Sequence, residues 1–188
     1  MEEWVLRALK RWPNVPALYG WLKLDRRGRW MIQGELITRP QIIEVIDRNY
    51  ACDERGCWFF QNGPQRGYME LERAPFILRV CAADSLWTHN DLEVTTVRAA
   101  YLDEEGGLYL STEHGPAALL DTDLDWALAR IMSGQHAAHE QEVLDALTLP
   151  SGARAPLALS LPGAVVPITR LDNAAAPEHL HFVRNPKP

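Results

Sequence analysis

The sequence predicts an α+β fold, and three observations carry that expectation. A turn signature, Asp-x-x-Gly followed by an apolar and aromatic run, occurs three times. A segment with helix-start chemistry lies between the first two copies. Residues 150–188 hold too many prolines for a long helix but suit short strands.

The N-terminus reads M-E-E-W-V-L-R-A-L-K-R-W. Trp4, Val5, Ala8, Leu9 and Trp12 recur at helical spacing, which predicts a short amphipathic helix within residues 1–17. The stretch starts acidic and lacks a long apolar core, so it does not read as a signal peptide.

The three turn segments are D-R-R-G-R-W-M-I from Asp25, D-E-R-G-C-W-F-F from Asp53 and D-E-E-G-G-L-Y-L from Asp103. Asp at the first position accepts hydrogen bonds from the turn backbone, and Gly at the fourth takes a positive φ. Aromatic and apolar residues then start a strand. Each copy predicts a β-hairpin.

Thr38, Arg39, Pro40 and Gln41 form a T-x-x-Q capping pattern with Pro in the first turn. Ile42, Ile43, Val45 and Ile46 supply the apolar face, and Asn49 the end. Strands are expected at 68–71 and 76–80, and a loop or boundary at 82–91. A second helix is expected at about 122–132, capped by Asp121 or Asp123. Gly134 interrupts it, and a third helical stretch runs to about Leu147. Strands at 157–161 and 165–169 fit the proline-rich end. The organisation expected is an N-terminal helix (1–17), a first α+β unit (18–91) and a second (92–188) that includes the proline-rich tail.

The chain has 188 residues, 47% hydrophobic and 23% charged, enough for one sizeable core or two small ones. Residues 1–94 hold 13 basic and 13 acidic side chains; residues 95–188 hold 6 and 12 and carry the whole net charge of −6. An acidic chain lacks the general attraction to nucleic acid, so no nucleic-acid partner is expected. Arg26, Arg27 and Arg29 beside Trp30 read as a solvated turn. No apolar stretch is long enough to span a membrane. Three cysteines and no targeting signal point to a reducing, cytoplasmic setting with free thiols. Cys52 and Cys57 flank the second turn, where a redox-sensitive pair is the alternative.

W30-M-I-Q-G34-E-L-I37-T-R39-P40, then Asp53–Phe60, Y68-M-E-L-E-R-A-P75-F76 and L108-Y-L-S-T112, occur in that order. Over roughly residues 20–120 this order of motifs resembles a proteobacterial family of unknown function. The resemblance implies two related β-rich subdomains built from a repeated unit, a signalling or ligand-binding role, and no catalytic residues to carry over. The cysteines, the segment after the second helix and the proline-rich end depart from the pattern, as in a sister family.

Catalytic signatures are absent: no G-x-S-x-G, S-x-x-K, Walker A or G-x-G-x-x-G. Asp121, Asp123 and Asp125 start like an EF-hand loop, but Trp126 and Met132 stand where it needs Gly and Glu. His136, His139 and Glu140 could share a helical face and, with His179 and His181 on a strand, could ligate zinc. An aromatic-walled pocket is expected near Trp30 and Trp58, with Arg39 and Arg79 holding an anionic group. The function expected is therefore non-enzymatic: a regulatory or signal-transduction protein, without a cofactor, that binds a small anionic molecule or a peptide in a groove between its units. The alternatives are a homo-oligomeric interaction module using the N-terminal helix and a metal-dependent hydrolase using His136 and His139.

Overall fold

All three Asp-x-x-Gly segments fold into the same turn in a computed structural model, which describes residues 1–12 and 14–188. In each, one carboxylate oxygen of the Asp accepts two backbone N–H groups, from the residues two and four further on. The distances are 2.9 and 2.8 Å at Asp25, 3.0 and 2.9 Å at Asp53, and 3.0 and 2.7 Å at Asp103. The glycines take φ of 76°, 79° and 84°. An L side chain there would press its Cβ on the backbone, which is why glycine stands at the fourth position.

These turns are set in an α+β fold of two compact units, Met1–Pro75 with His181–Pro188, and Phe76–Leu180. The sequence boundary at residue 91 differs from this division. Phe76–Val80 pairs in parallel with Pro116–Leu119, and its own hairpin partner is Leu86–Thr88, so residues 76–91 join the second sheet. The last eight residues return to the first unit.

Unit 1 contains α1 (Glu3–Arg11), β1 (Leu18–Leu24), β2 (Trp30–Ile32), β3 (Glu35–Leu36), α2 (Pro40–Arg48), β4 (Tyr50–Cys52), β5 (Trp58–Asn62) and β6 (Gln65–Leu71). Its sheet runs β3-β2-β1-β6-β5-β4, with β1 and β6 parallel and the other pairs antiparallel. Its core includes Leu22, Leu24, Trp30, Ile46, Trp58, Phe59, Tyr68 and Met69. Helix α1 forms as expected, but of its apolar residues only Val5 is fully buried. Trp4, Leu6 and Trp12 stay exposed.

Helix α2 departs from the expected capping. Arg39, not Thr38, is the N-cap, with extended φ/ψ of −79° and 115° and no side-chain cap bond. Pro40 explains this: proline disfavours helical geometry in the residue before it, so the helix starts at Pro40 itself.

Unit 2 contains β7 (Phe76–Val80), β8 (Leu86–Thr88), β9 (Glu93–Val94), β10 (Val97–Leu102), β11 (Leu108–Thr112), β12 (Pro116–Leu119), α3 (Leu124–Leu128), β13 (Ile131–Ser133), β14 (His136–Ala137), α4 (Glu140–Leu147), β15 (Arg154–Leu161), β16 (Ala164–Arg170) and α5 (Ala176–His179). The sheet runs β14-β13-β15-β16-β10-β11-β12-β7-β8-β9. The helix expected at 122–132 is shorter. After a 3-10 turn at Asp121–Asp123, α3 ends at Leu128, and Ile131 and Met132 pair with Leu159 and Ala158. Buried Ile131 is worth more in that sheet than in a further helical turn. Gly134, at φ 60°, turns the β13–β14 hairpin rather than breaking a helix. The proline-rich strands form as β15 and β16. Pro156 falls where the β15–β16 register shifts between Arg154 and Ala158. Its missing N–H is tolerated at such an irregularity.

Six adjacent strands of unit 2, β12-β11-β10-β16-β15-β13, follow the same order and the same sense of pairing as the whole unit 1 sheet. The match extends to a hydrogen bond. Leu24 and Leu102 each precede a turn, and their carbonyls accept the N–H of Glu72 at 3.1 Å and of Leu171 at 3.0 Å. Between β4 and β5 stands the second Asp-x-x-Gly turn, whereas β13 and β15 are joined through β14 and α4. No helix among the described residues is long and apolar enough to cross a membrane.

Candidate functional site

The four residues expected to line an anion pocket lie in different settings. Trp30 and Trp58 are buried in unit 1, 3% and 7% exposed. Both rings pack on Tyr50, at centroid distances of 5.0 and 4.9 Å, and the Trp30 indole N–H donates to Asp47 at 2.7 Å. They fill the core rather than wall a cleft. Arg39 is exposed at the start of α2. Arg79 belongs to β7 of unit 2 and is ion-paired with Asp91.

A different cationic cluster sits on unit 1, where the second turn meets β5 and β6. The β5–β6 register sets Phe59 opposite Tyr68 and Gln61 opposite Arg66. Tyr68 is the hub. Its ring stacks on Tyr19 at 4.6 Å and 13°, and its hydroxyl donates to Asp53 at 2.9 Å. The guanidiniums of Arg55 and Arg66 both reach that hydroxyl, each at 3.4 Å. Arg66 also lies over the Phe59 ring at 3.9 Å and donates to Gln61 at 3.3 Å. Among the described residues Arg66 meets no carboxylate.

Asp53 is the one carboxylate of the cluster, and its lone pairs are largely taken. One oxygen holds two turn N–H groups; the other holds Tyr68 and, at 3.4 Å, Arg55. Burial would raise its pKa, but the Cys57 N–H, the Tyr68 hydroxyl and Arg55 together hold it below the ordinary 3.8. A lowered folded-state pKa stabilises the fold above the unfolded value and is lost as pH falls through the folded one. Acid titration should therefore remove stability from pH 3.8 downward. Asp53→Asn should be less stable at neutral pH and have a shallower acid limb in pH-dependent urea melts. Parallel acid limbs would contradict this role.

The cysteines next to this cluster are free. Cys52 lies at the surface, where partial desolvation and the Asp53 charge push its thiol up to about 11; Cys57 is buried, and burial raises its thiol as well. Thiols held protonated are slow to exchange or oxidise.

In unit 2 a cleft of about 230 Å³ is lined by Asp84, Ser85, Glu93, Thr95, Leu161 and Pro162, among others. Two carboxylates in its wall make it a poor site for an anion. Of the EF-hand-like aspartates, Asp123 is structural, accepting the Val80 N–H at 2.7 Å.

The histidine expectation needs two corrections. His136 is on strand β14 and His139 is the N-cap of α4, so they do not share a helical face. The carboxylate beside them is Glu142, not Glu140: one ligating atom from each of His136, His139 and Glu142 lies within 4.8 Å of the others. His179 lies in α5 against Tyr101, and His181 adopts φ 58° in the following turn, so they share no strand face. The spacing of 136, 139 and 142 was the available signal. Nothing in the local sequence marked Arg55 and Arg66 as neighbours.

An α+β protein with this sheet plan and a cationic aromatic cluster matches proteins of unassigned activity. The family model DUF2944, described as "Protein of unknown function (DUF2946)", matches residues 1–187, and the chain belongs to this family. No curated protein matches it. Among solved structures it is similar to a DUF1285 family protein from Silicibacter pomeroyi DSS-3, with 16% identity, a TM-score of 0.53 and 86% of each chain covered. A DUF1285 family protein from Shewanella baltica OS155 also matches, at 15% identity and a TM-score of 0.42, over 54% of this chain and 85% of that one. The first likeness shows a shared fold.

Proposed function

We propose that this chain is a regulatory, ligand-binding protein. Its two units are copies of one six-strand plan, and the Arg55–Arg66–Tyr68 surface of unit 1 takes a small anionic molecule. The observation that carries the proposal is the meeting of two guanidiniums on one phenol, with a single, already hydrogen-bonded carboxylate between them. That leaves two guanidiniums sharing one carboxylate, a local excess of positive charge of the kind that binds carboxylates and phosphates. Tyr19, half-buried and stacked on the buried Tyr68 ring, is the aromatic group beside the charge. Asp53, held as an anion by its donors, is poorly placed to act as a base, which favours binding over turnover.

The test is calorimetric titration with inorganic phosphate, a phosphate monoester and a dicarboxylate. At least one should bind the wild type, and Arg66→Gln should weaken it by about ten-fold or more. Arg66 also packs over Phe59 and bonds to Gln61, so its loss should lower the melting midpoint modestly, and the titrations are run well below that midpoint. Equal titrations for wild type and the Arg55→Gln/Arg66→Gln double variant would overturn the proposal.

A further inference from the structure

Unit 2 carries a second group of residues that the anion site does not use. His136, His139 and Glu142 converge where the β13–β14 hairpin runs into α4. The backbone fixes all three: Gly134 turns the hairpin, His139 caps the helix, and Glu142 is three residues into it. The imidazoles lie side by side, centroids 5.5 Å apart and 31° from parallel. Both are exposed, so the core does not require them.

Two of the three ligands have partners that orient them. His136 Nδ1 lies 2.9 Å from the Ala137 carbonyl oxygen. A carbonyl only accepts, so Nδ1 carries the hydrogen and the neutral ring has its lone pair on Nε2. Metal-bound histidines show this arrangement, with the second nitrogen donating to a carbonyl or carboxylate. Glu142 accepts the Ser133 hydroxyl at 2.6 Å and the His139 N–H at 2.8 Å, one on each oxygen. The carboxylate is thereby aimed, and each oxygen keeps a lone pair.

We propose that His136, His139 and Glu142 form a binding site for a divalent transition-metal ion, with zinc the best match. Two imidazoles and one carboxylate are ligands zinc accepts, leaving a fourth position to water. Zinc bonds of about 2.0–2.1 Å place tetrahedral ligand atoms roughly 3.4 Å apart. The three ligand atoms lie within 4.8 Å of one another, and the exposed His136 and His139 rings have room to turn toward a shared ion beside the anchored Glu142. The site is independent of the anion site, which is in unit 1.

The experiment is titration of untagged, EDTA-dialysed full-length protein with zinc chloride, read by calorimetry and by thermal melting. One equivalent should bind and the melting midpoint should rise, since the ion binds the folded state. His136→Gln and His139→Gln should each weaken binding by about ten-fold or more, and His136→Gln, away from the helix cap, should leave the metal-free melt unchanged. Glu142→Gln keeps an oxygen for the His139 N–H and should weaken zinc in the same direction. Absence of binding to the wild type would overturn the proposal. So would zinc binding that survives intact in the His136→Gln/His139→Gln double variant, because the ion would then sit elsewhere, as on the thiols.

Discussion

Replacing Gly56 by alanine is expected to destabilise unit 1 by about 2–4 kcal/mol, far more than the same change in the matching turn at Gly106. Both glycines sit at left-handed φ, 79° and 84°, so both substitutions carry the local strain of an L residue there. That strain is about 1–2 kcal/mol, partly offset by a stiffer unfolded chain. The difference lies in what a Cβ would meet. At Gly106 nothing lies within 4 Å. At Gly56 the new atom would stand 2.7 Å from the His181 carbonyl oxygen and 3.2 Å from Phe182 Cα. These are backbone atoms, so the returning tail has to shift, and the bond from the Val183 N–H to the Gly56 carbonyl, 3.0 Å, is put at risk. Urea melts followed by tryptophan fluorescence would measure both variants. Equal losses would show that the tail does not press on this turn.

Trp30→Ala should cost about 3–5 kcal/mol, the range for removing a buried large aromatic. Trp30 is 3% exposed, its edge meets Tyr50, and its indole N–H is bound to Asp47. The change leaves a cavity in the unit 1 core and an Asp47 carboxylate without that donor. Trp30→Phe keeps most of the volume and should lose less. The same urea melts would check the pair. An alanine variant as stable as the wild type would mean that Trp30 borders an open pocket instead.

The parts of this fold that were legible in the sequence are those set by close neighbours. The Asp-x-x-Gly turn closes through bonds two and four residues along, so its signature suffices, and it appears three times. The start of α2 was misplaced because two local signals competed. The Thr38–Gln41 pattern suggested a cap, but the restriction that Pro40 puts on Arg39 prevailed. Ile131–Ser133 looked helical because its partners, Leu159 and Ala158, are far along the chain. The candidate sites follow the same rule. Trp30 and Trp58 are aromatic and near arginines in sequence, yet they serve the core. Arg55 and Arg66 meet only because β5 and β6 pair in one register. The spacing of the histidines singles them out, but helical geometry selects Glu140 as their companion, whereas a strand followed by a helix cap brings in Glu142.

Unit 1 is made from two segments that flank unit 2 in sequence, residues 1–75 and 181–188. Phe182 is buried in it, the Leu71 N–H is bound to the Arg184 carbonyl at 2.8 Å, and Arg184 reaches back to the Arg73 carbonyl at 3.2 Å. Translation delivers residues 1–75 before unit 2 and residues 181–188 after it. The usual order, in which the N-terminal domain finishes first as the chain emerges, is therefore reversed. The unit begun second is the first to have all its residues, and the unit begun first lacks its last segment until residues 181–188 have been made.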